Sequence, residues 1–175
     1  MLGLKRGTVK LASAHDEWAR LFEEERQRLI KAIGKYIVDI EHVGSTAIPG
    51  VPAKPIIDIR IAIPSLADSY IENMIAPLKA MDYSYMHKFP DRHFFAKGPE
   101  ECRTHHISFV KANSEVGWQD AILFRDYLRR NDGAREEYAV LKRELAKKFA
   151  EDRASYTKAK EEFIGKIVQL ARLEK

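Results

Sequence analysis

Apolar side chains recur at helical spacing between residues 16 and 34 and then give way to runs typical of strands. Asp16 can cap the predicted helix, and Gly34 can end it. Residues 36–43 are rich in β-branched side chains and predict the first strand. Within residues 55–64 isoleucine occupies alternate positions, which indicates a second strand with one apolar face.

The rest of the chain is predicted to add a helix, two more strands and a helical C-terminal part. A helix begins near Ser65 and runs through about Met81, with Pro77 as a kink or early end. Strands are predicted at residues 93–98 and 104–110. Helical periodicity then predicts three helices, over residues 115–131, 133–150 and 155–173. This order predicts an α+β fold, in which helices flank a mixed β-sheet and the C-terminal half is helical.

Size and charge limit the classes of protein that fit. The 175 residues suffice for one domain, 1–175, with a sheet-containing core at 1–112 and a helical part at 113–175. The net charge of +4 suits a pocket that receives phosphates, but glutamates interleave with the basic residues of the C-terminal helices, which is typical of a solvated face. Cys102 is the sole cysteine, and no segment approaches the roughly 20 apolar residues of a membrane span. We therefore expect a cytoplasmic protein with no nucleic-acid or membrane partner.

The Gly44–Ser45 turn, followed by Asp58 on the next predicted strand, carries the candidate chemistry. Glycine lets the backbone approach a ligand closely, the serine hydroxyl adds a donor, and amides at such a turn can receive a phosphate. A carboxylate on the adjacent strand can hold a divalent metal that bridges phosphates. The turn and the strand together predict a pocket for phosphates and a metal.

The stretch HVGSTAIPGVPAKPIIDI resembles the signature of the GrpB family. Three later segments resemble GrpB segments in the same order, namely RHFFAKGPEECRTHHISFV, FRDYLRRNDGAREEYAVLKRELA and SYTKAKEEF. The GrpB fold resembles the nucleotidyltransferase superfamily, in which Gly-Ser precedes a strand that bears an Asp-x-Asp pair. The resemblance implies a nucleotidyltransferase-like fold that takes a nucleoside triphosphate or another phosphorylated small molecule.

The chain departs from the superfamily pattern at the second carboxylate. Asp58 matches the first Asp of the pair, whereas Arg60 stands at the second position, about 7 Å along the same strand face. At an effective dielectric near 20, replacing an anion by a cation roughly 5 Å from Mg²⁺ costs several kcal/mol. Two-metal chemistry with the usual ligands is therefore not expected. Arg60 can instead form an inert ion pair with Asp58 or bind a phosphate through its guanidinium group.

Two histidines are candidates to complete a site at Asp58. Strand alternation places His106 on the same side as Asp58, and His42 lies two residues before the glycine of the turn. A ligand set of Asp58, His42 and His106 would suit Zn²⁺ or Mn²⁺ better than Mg²⁺. The alternative is that both histidines are hydrogen-bonded beside the sheet and hold no metal.

Two Tyr–Lys pairs lie four residues apart on predicted helix faces, Tyr138 with Lys142 and Tyr156 with Lys160. Tyrosine can stack on a base and lysine can reach a triphosphate. The alternative is ordinary packing, with the tyrosines buried and the lysines extending to solvent. Lys160 falls in a GrpB-like segment and is kept as a ligand-binding candidate, whereas Lys142 is not.

Three classes of function remain open. The first is an enzyme that transfers a nucleotidyl group to an unknown small acceptor, with the Gly44–Ser45 turn on the triphosphate and Lys160 neutralising charge. Asp58 and His106 would be its catalytic residues. The second is a non-catalytic nucleotide binder that relies on Arg60. The third is a protein-interaction or folding-accessory module, because the GrpB-like domain resembles a segment fused to dephospho-coenzyme A kinase.

Overall fold

A five-stranded mixed sheet forms the centre of the computed structural model, which describes residues 1–174. The strands are β1 Asp39–Val43, β2 Ile57–Ile63, β3 Tyr83–Phe89, β4 Arg92–Lys97 and β5 His105–Lys111. Their spatial order is β1-β2-β5-β4-β3, with β2 and β5 parallel and the other neighbours antiparallel. The predicted α+β fold with a mixed sheet is confirmed.

Helices flank this sheet and form the C-terminal half. They are α1 His15–Ile33, α2 Asp68–Lys79, α3 Asp120–Arg130, α4 Asp132–Lys148, α5 Arg153–Lys158 and α6 Glu161–Leu173. Within residues 1–174, no helix is both long enough and apolar enough to cross a membrane.

The alternating isoleucines of β2 determine which face of the sheet packs against α1 and α2. Ile57, Ile59 and Ile61 are buried in one core with apolar side chains of α1 and α2, including Leu29 and Met74. The intervening side chains of β2 point to the other face, where the C-terminal helices build a second core of their own. A polar strip of the sheet therefore faces the helical half across a gap.

Local boundaries differ from the predictions at several places. Helix α2, predicted over residues 65–81, begins at Asp68 and continues through Pro77 to Lys79. Helix α1 begins at His15 after Ala14, and no side chain caps it, so Asp16 lies in the first turn instead of capping the helix. Strand β3 was not predicted, because it is an edge strand with mostly exposed side chains and a register shift that together hide any apolar alternation. The single helix predicted over residues 155–173 is divided at Ala159–Lys160 into α5 and α6.

Candidate functional site

A cleft of about 820 Å³ lies between the polar strip of the sheet and the C-terminal helices. Its sheet side carries Asp58 and Arg60 of β2 and His106 of β5, and its helical side carries Lys142 and Lys160. This volume falls within the range of small-molecule sites. The sequence-predicted residues Gly44 and Ser45 also line the cleft.

Gly44 brings the backbone against the Asp58 carboxylate. Val43 pairs with Asp58 in the antiparallel β1–β2 register, and the chain then turns at Gly44 with φ 71° and ψ −172°. A Cβ atom at Gly44 would lie 2.8 Å from Oδ2 of Asp58. Only glycine fits this position without displacing the carboxylate, so the turn packs directly against the Asp58 side chain of β2.

Asp58 and His106 are neighbours in the parallel β2–β5 register, and Oδ1 of Asp58 lies 3.4 Å from Nδ1 of His106. The predicted placement of both side chains on one face is confirmed. The Asp58 side chain is 46% exposed, and it opens into the cleft. Burial raises the pKa of Asp58, but His106, Lys54 and Lys160 outweigh that effect and hold the pKa below its usual value. Asp58 is therefore ionised at neutral pH.

Three lysines from distant segments line the cleft, and no carboxylate of residues 1–174 forms an ion pair with any of them. Burial, together with the charges of Lys160 and Arg153, lowers the pKa of Lys54 to about 7. Burial lowers the pKa of Lys160 to about 8. Lys142 is only 2% exposed, and burial and the other two lysines depress its pKa strongly. These three lysines, the lysine group, therefore crowd amines into the cleft, and the nearby Asp58 offsets the lowering of their pKa values only in part.

Both Tyr–Lys pairs occur as predicted, but their tyrosines are packed. The Lys142 amine lies 5.3 Å from the Tyr138 ring centroid, and the Lys160 amine lies 4.3 Å from that of Tyr156. Both rings are buried, and Tyr138 is also stacked on Phe163 at 5.1 Å. The rings thus support the lysine stems and do not offer a free face to a base.

Arg60 lies in the cleft without an ion pair to Asp58. Its Nη1 donates a hydrogen bond to the carbonyl oxygen of Gly117 at 3.2 Å. Burial and the nearby Arg92 lower the pKa of Arg60, whereas Asp58 and Asp91 act in the opposite direction. Of the two interpretations of Arg60, the inert ion pair with Asp58 does not occur among residues 1–174.

Comparison with known proteins identifies the family. The family model described as "GrpB protein" matches residues 8–170. The chain belongs to the GrpB family. The Glutamate-rich protein GrpB of Alkalihalophilus pseudofirmus is 38% identical over 172 residues, which span 96% of this chain and 98% of that protein. A crystal structure of GrpB from Enterococcus faecalis matches with a TM-score of 0.83 at 29% identity, over 93% of this chain and 96% of that chain.

More distant matches are to longer proteins, of which this chain covers less than half. The Cid1 poly(U) polymerase with MgGTP bound matches with a TM-score of 0.55 at 12% identity, over 78% of this chain and 44% of that chain. This likeness shows the fold alone, and it confirms a nucleotidyltransferase-like fold. Dephospho-CoA kinase of Mycolicibacterium paratuberculosis is 29% identical over 187 residues, which span 90% of this chain and 44% of that protein.

The candidate metal ligands do not converge in this GrpB chain. His42 is buried away from the cleft, with its ring stacked on Phe22 at 4.7 Å and Nε2 2.9 Å from Oγ1 of Thr46. Burial lowers the pKa of His42 to about 4, so the ring is neutral. Across residues 1–174, no group of three His, Cys, Asp or Glu side chains could hold a metal ion. The predicted set of His42, Asp58 and His106 is therefore not assembled, because Phe22 and Thr46 engage the His42 ring.

The remaining donors do not fit the metal that the superfamily pattern implies. Mg²⁺ prefers several oxygen ligands in octahedral geometry. Here one carboxylate, Asp58, has an imidazole beside it and is surrounded by Lys54, Lys160 and Arg60. These cations would repel a dication at the same place.

Sequence reasoning missed two cations of the cleft and rejected a third. Lys54 lies in the proline-rich loop before β2, and Arg153 begins α5. Arg153 donates hydrogen bonds to the carbonyl oxygens of Thr8 at 3.2 Å and Lys5 at 3.1 Å, and it also lines the cleft. For Lys142 the sequence favoured ordinary packing with the lysine extending to solvent, but the residue is buried at the cleft. The signal for Lys54 was its position between Pro52 and Pro55, in a loop that packs against the sheet.

Proposed function

We propose that the cleft binds a phosphorylated small molecule, with a nucleoside triphosphate as the expected class, through side-chain cations and without a metal ion. The observation that carries this proposal is Lys142. It is almost completely buried, it faces the cleft, and no ion pair or hydrogen bond within residues 1–174 satisfies its amine.

Burying an amine in this way costs free energy. An isolated buried charge is strongly unfavourable, and a lysine in that position gives up its proton instead. The cost increases because Lys54 and Lys160 are nearby, and both lower the pKa of Lys142 further. A bound polyphosphate would supply the missing negative charge and would return protons to the lysines.

The surroundings of the lysines support a phosphate as the ligand. The Gly44–Ser45 turn borders the same cleft and offers backbone and hydroxyl donors. Cid1, a structural neighbour, is described with MgGTP bound, which supports a nucleotide as the ligand class. The present cleft differs in carrying Arg60 and lysines where a metal would need anionic ligands.

The test is calorimetric titration of ATP, GTP, CTP and UTP, each with and without Mg²⁺. We expect binding without the metal, and we expect Lys142→Gln to weaken it at least about tenfold, the scale of a lost charged hydrogen bond. Lys147→Gln is the matched control, because Lys147 lies on the same helix but is exposed. A strict requirement for Mg²⁺, or the absence of binding to all four nucleotides, would refute the proposal.

Nucleotidyl transfer to a small acceptor is a second candidate, favoured by the ionised Asp58 beside His106. An ionised carboxylate that orients an imidazole is a recurrent arrangement for removing a proton from a hydroxyl group. In that case Asp58→Asn would abolish turnover while leaving nucleotide affinity within about threefold. Turnover that is unchanged in this variant would exclude the role.

An interaction module is a third candidate, favoured by the dephospho-CoA kinase relatives, in which a similar segment forms part of a longer chain. The direct test is co-purification of the intact chain with dephospho-CoA kinase from the same cell. Failure to form a complex at micromolar concentrations would count against this function.

A further inference from the structure

We infer that the cleft contains a second anion subsite, built from Arg60, Ser108 and Arg92 beside Phe89 and Phe94, which holds a second ligand bearing a phosphate or carboxylate on an apolar ring. This inference rests on the proposed function, and it adds that two ligands occupy the cleft together. It also assigns the ring-bearing anion as the class of the second ligand.

The strand register places this subsite one step along the sheet from Asp58 and His106. Arg60 pairs with Ser108 in the β2–β5 register, and Ser108 pairs with Phe94 in the β4–β5 register. This row of three lies two residues beyond the Asp58–His106 row, which is roughly 7 Å along the strands. All of these side chains line the cleft.

Arg92 and Phe89 complete the subsite at the end of the β3–β4 hairpin. Arg92 and Phe94 lie on the same face of β4, since the intervening His93 is buried on the other side. The Arg92 guanidinium lies 4.0 Å from the Phe89 ring centroid and bonds Oδ1 of Asp91 at 3.1 Å. The arginine is thus held in place by a ring and a carboxylate.

Two separate groups of cations meet at Asp58. The charges that act on Arg60 are those of Arg92, Asp58 and Asp91. The charges that act on Lys142 are those of Lys160, Lys54 and Asp58. We call Arg60 and Arg92 the arginine group; Asp58 lies two residues from Arg60 on β2 and is the carboxylate that also acts on all three lysines of the lysine group. One phosphate chain in the lysine group would leave Arg60 without an ion-pair partner, whereas Arg92 bonds Asp91.

The chemistry of the arginine group favours a ring-bearing anion. A guanidinium binds carboxylates and phosphates through two parallel hydrogen bonds, and in Arg60 only Nη1 has a partner among residues 1–174. Phe89, Phe94 and the 66% exposed Val116 supply an apolar wall next to it. Aromatic rings and arginine together bind planar apolar groups well.

The experiment uses two probes, tripolyphosphate for the lysine group and phenyl phosphate for the arginine group. Phenyl phosphate is titrated by calorimetry into the free protein and into protein saturated with tripolyphosphate. We expect it to bind in both cases with affinities within about threefold of each other. Competition between the two probes would overturn the inference, whereas failure of both probes to bind would overturn the proposed function itself.

Variants separate the two subsites. Arg60→Gln is expected to weaken phenyl phosphate about tenfold or more and to change tripolyphosphate affinity less than threefold. Lys142→Gln is expected to weaken tripolyphosphate about tenfold or more and to change phenyl phosphate affinity less than threefold. Arg143→Gln is the control for loss of one positive charge, because Arg143 is about half exposed and lies outside the cleft. Equal losses for both probes in Arg60→Gln would show a single site and refute the inference.

Discussion

Replacing Gly44 by alanine tests whether the turn and the Asp58 carboxylate are packed as closely as the structure indicates. The backbone there has φ 71° and ψ −172°, a conformation that costs a non-glycine residue on the order of 1–3 kcal/mol. The added Cβ would also lie 2.8 Å from Oδ2 and 3.3 Å from Cβ of Asp58. Overpacking of this kind costs about 1–3 kcal/mol. We therefore expect Gly44→Ala to lower the free energy of unfolding by about 2–6 kcal/mol.

Urea unfolding followed by circular dichroism measures this change, and a protein of this size should also lose roughly 4–24 °C in Tm. Gly133→Ala is the control, since nothing lies within 4 Å of a Cβ at that position. Asp58→Ala separates the two causes, because it removes the carboxylate but not the backbone strain. In that background we expect Gly44→Ala to cost about 1–3 kcal/mol less. An equal cost in both backgrounds, or a cost below about 0.5 kcal/mol, would refute the close packing of the turn on Asp58.

Three further predictions follow from the buried titratable groups. Lys142→Met should stabilise the free protein by about 1–3 kcal/mol in urea unfolding, whereas Lys147→Met should not. The pKa of Lys142 is lowered in the folded state, so the protein takes up a proton when it unfolds below about pH 10. The free energy of unfolding should therefore rise with pH toward about 10, and Lys142→Met should flatten that rise. Tripolyphosphate affinity should fall from pH 7 to 9 as Lys54 and Lys160 lose protons, and calorimetry in buffers of different ionisation enthalpy should detect proton uptake on binding. Acidification from pH 6.5 to 4 should destabilise the protein through His42 by about 3 kcal/mol, which His42→Gln should reduce.

The sequence was most informative where local periodicity and burial agree. The alternating isoleucines of β2 predicted both the strand and its polar face, and parity on β5 predicted that His106 would share that face with Asp58. Strand β3 gave no such signal, since its outer position leaves most side chains exposed and a register shift interrupts its alternation.

The cleft was only partly predictable, because its cations come together through tertiary contacts. Lys54 and Lys160 lie 106 positions apart in the chain, yet both line the cleft, and the charge of Lys160 lowers the pKa of Lys54. His42 has a metal-ligand side chain and a suitable position in sequence, but packing against Phe22 of α1 decides where its ring lies. Neither arrangement leaves a pattern in the local sequence.

The exchange of a carboxylate for Arg60 is consistent with the lysines around Asp58. A metal between two carboxylates neutralises phosphate charge by bridging, and it needs a negative site in the free protein. Here the free protein already carries fixed cations at that place, so a phosphate would meet side chains directly. In the proposed function the Asp58 carboxylate would not hold a metal and would instead reduce the repulsion among Arg60, Lys54 and Lys160. A cleft of this kind should bind polyphosphate more weakly as salt concentration rises, and adding Mg²⁺ should compete for the ligand instead of assisting it.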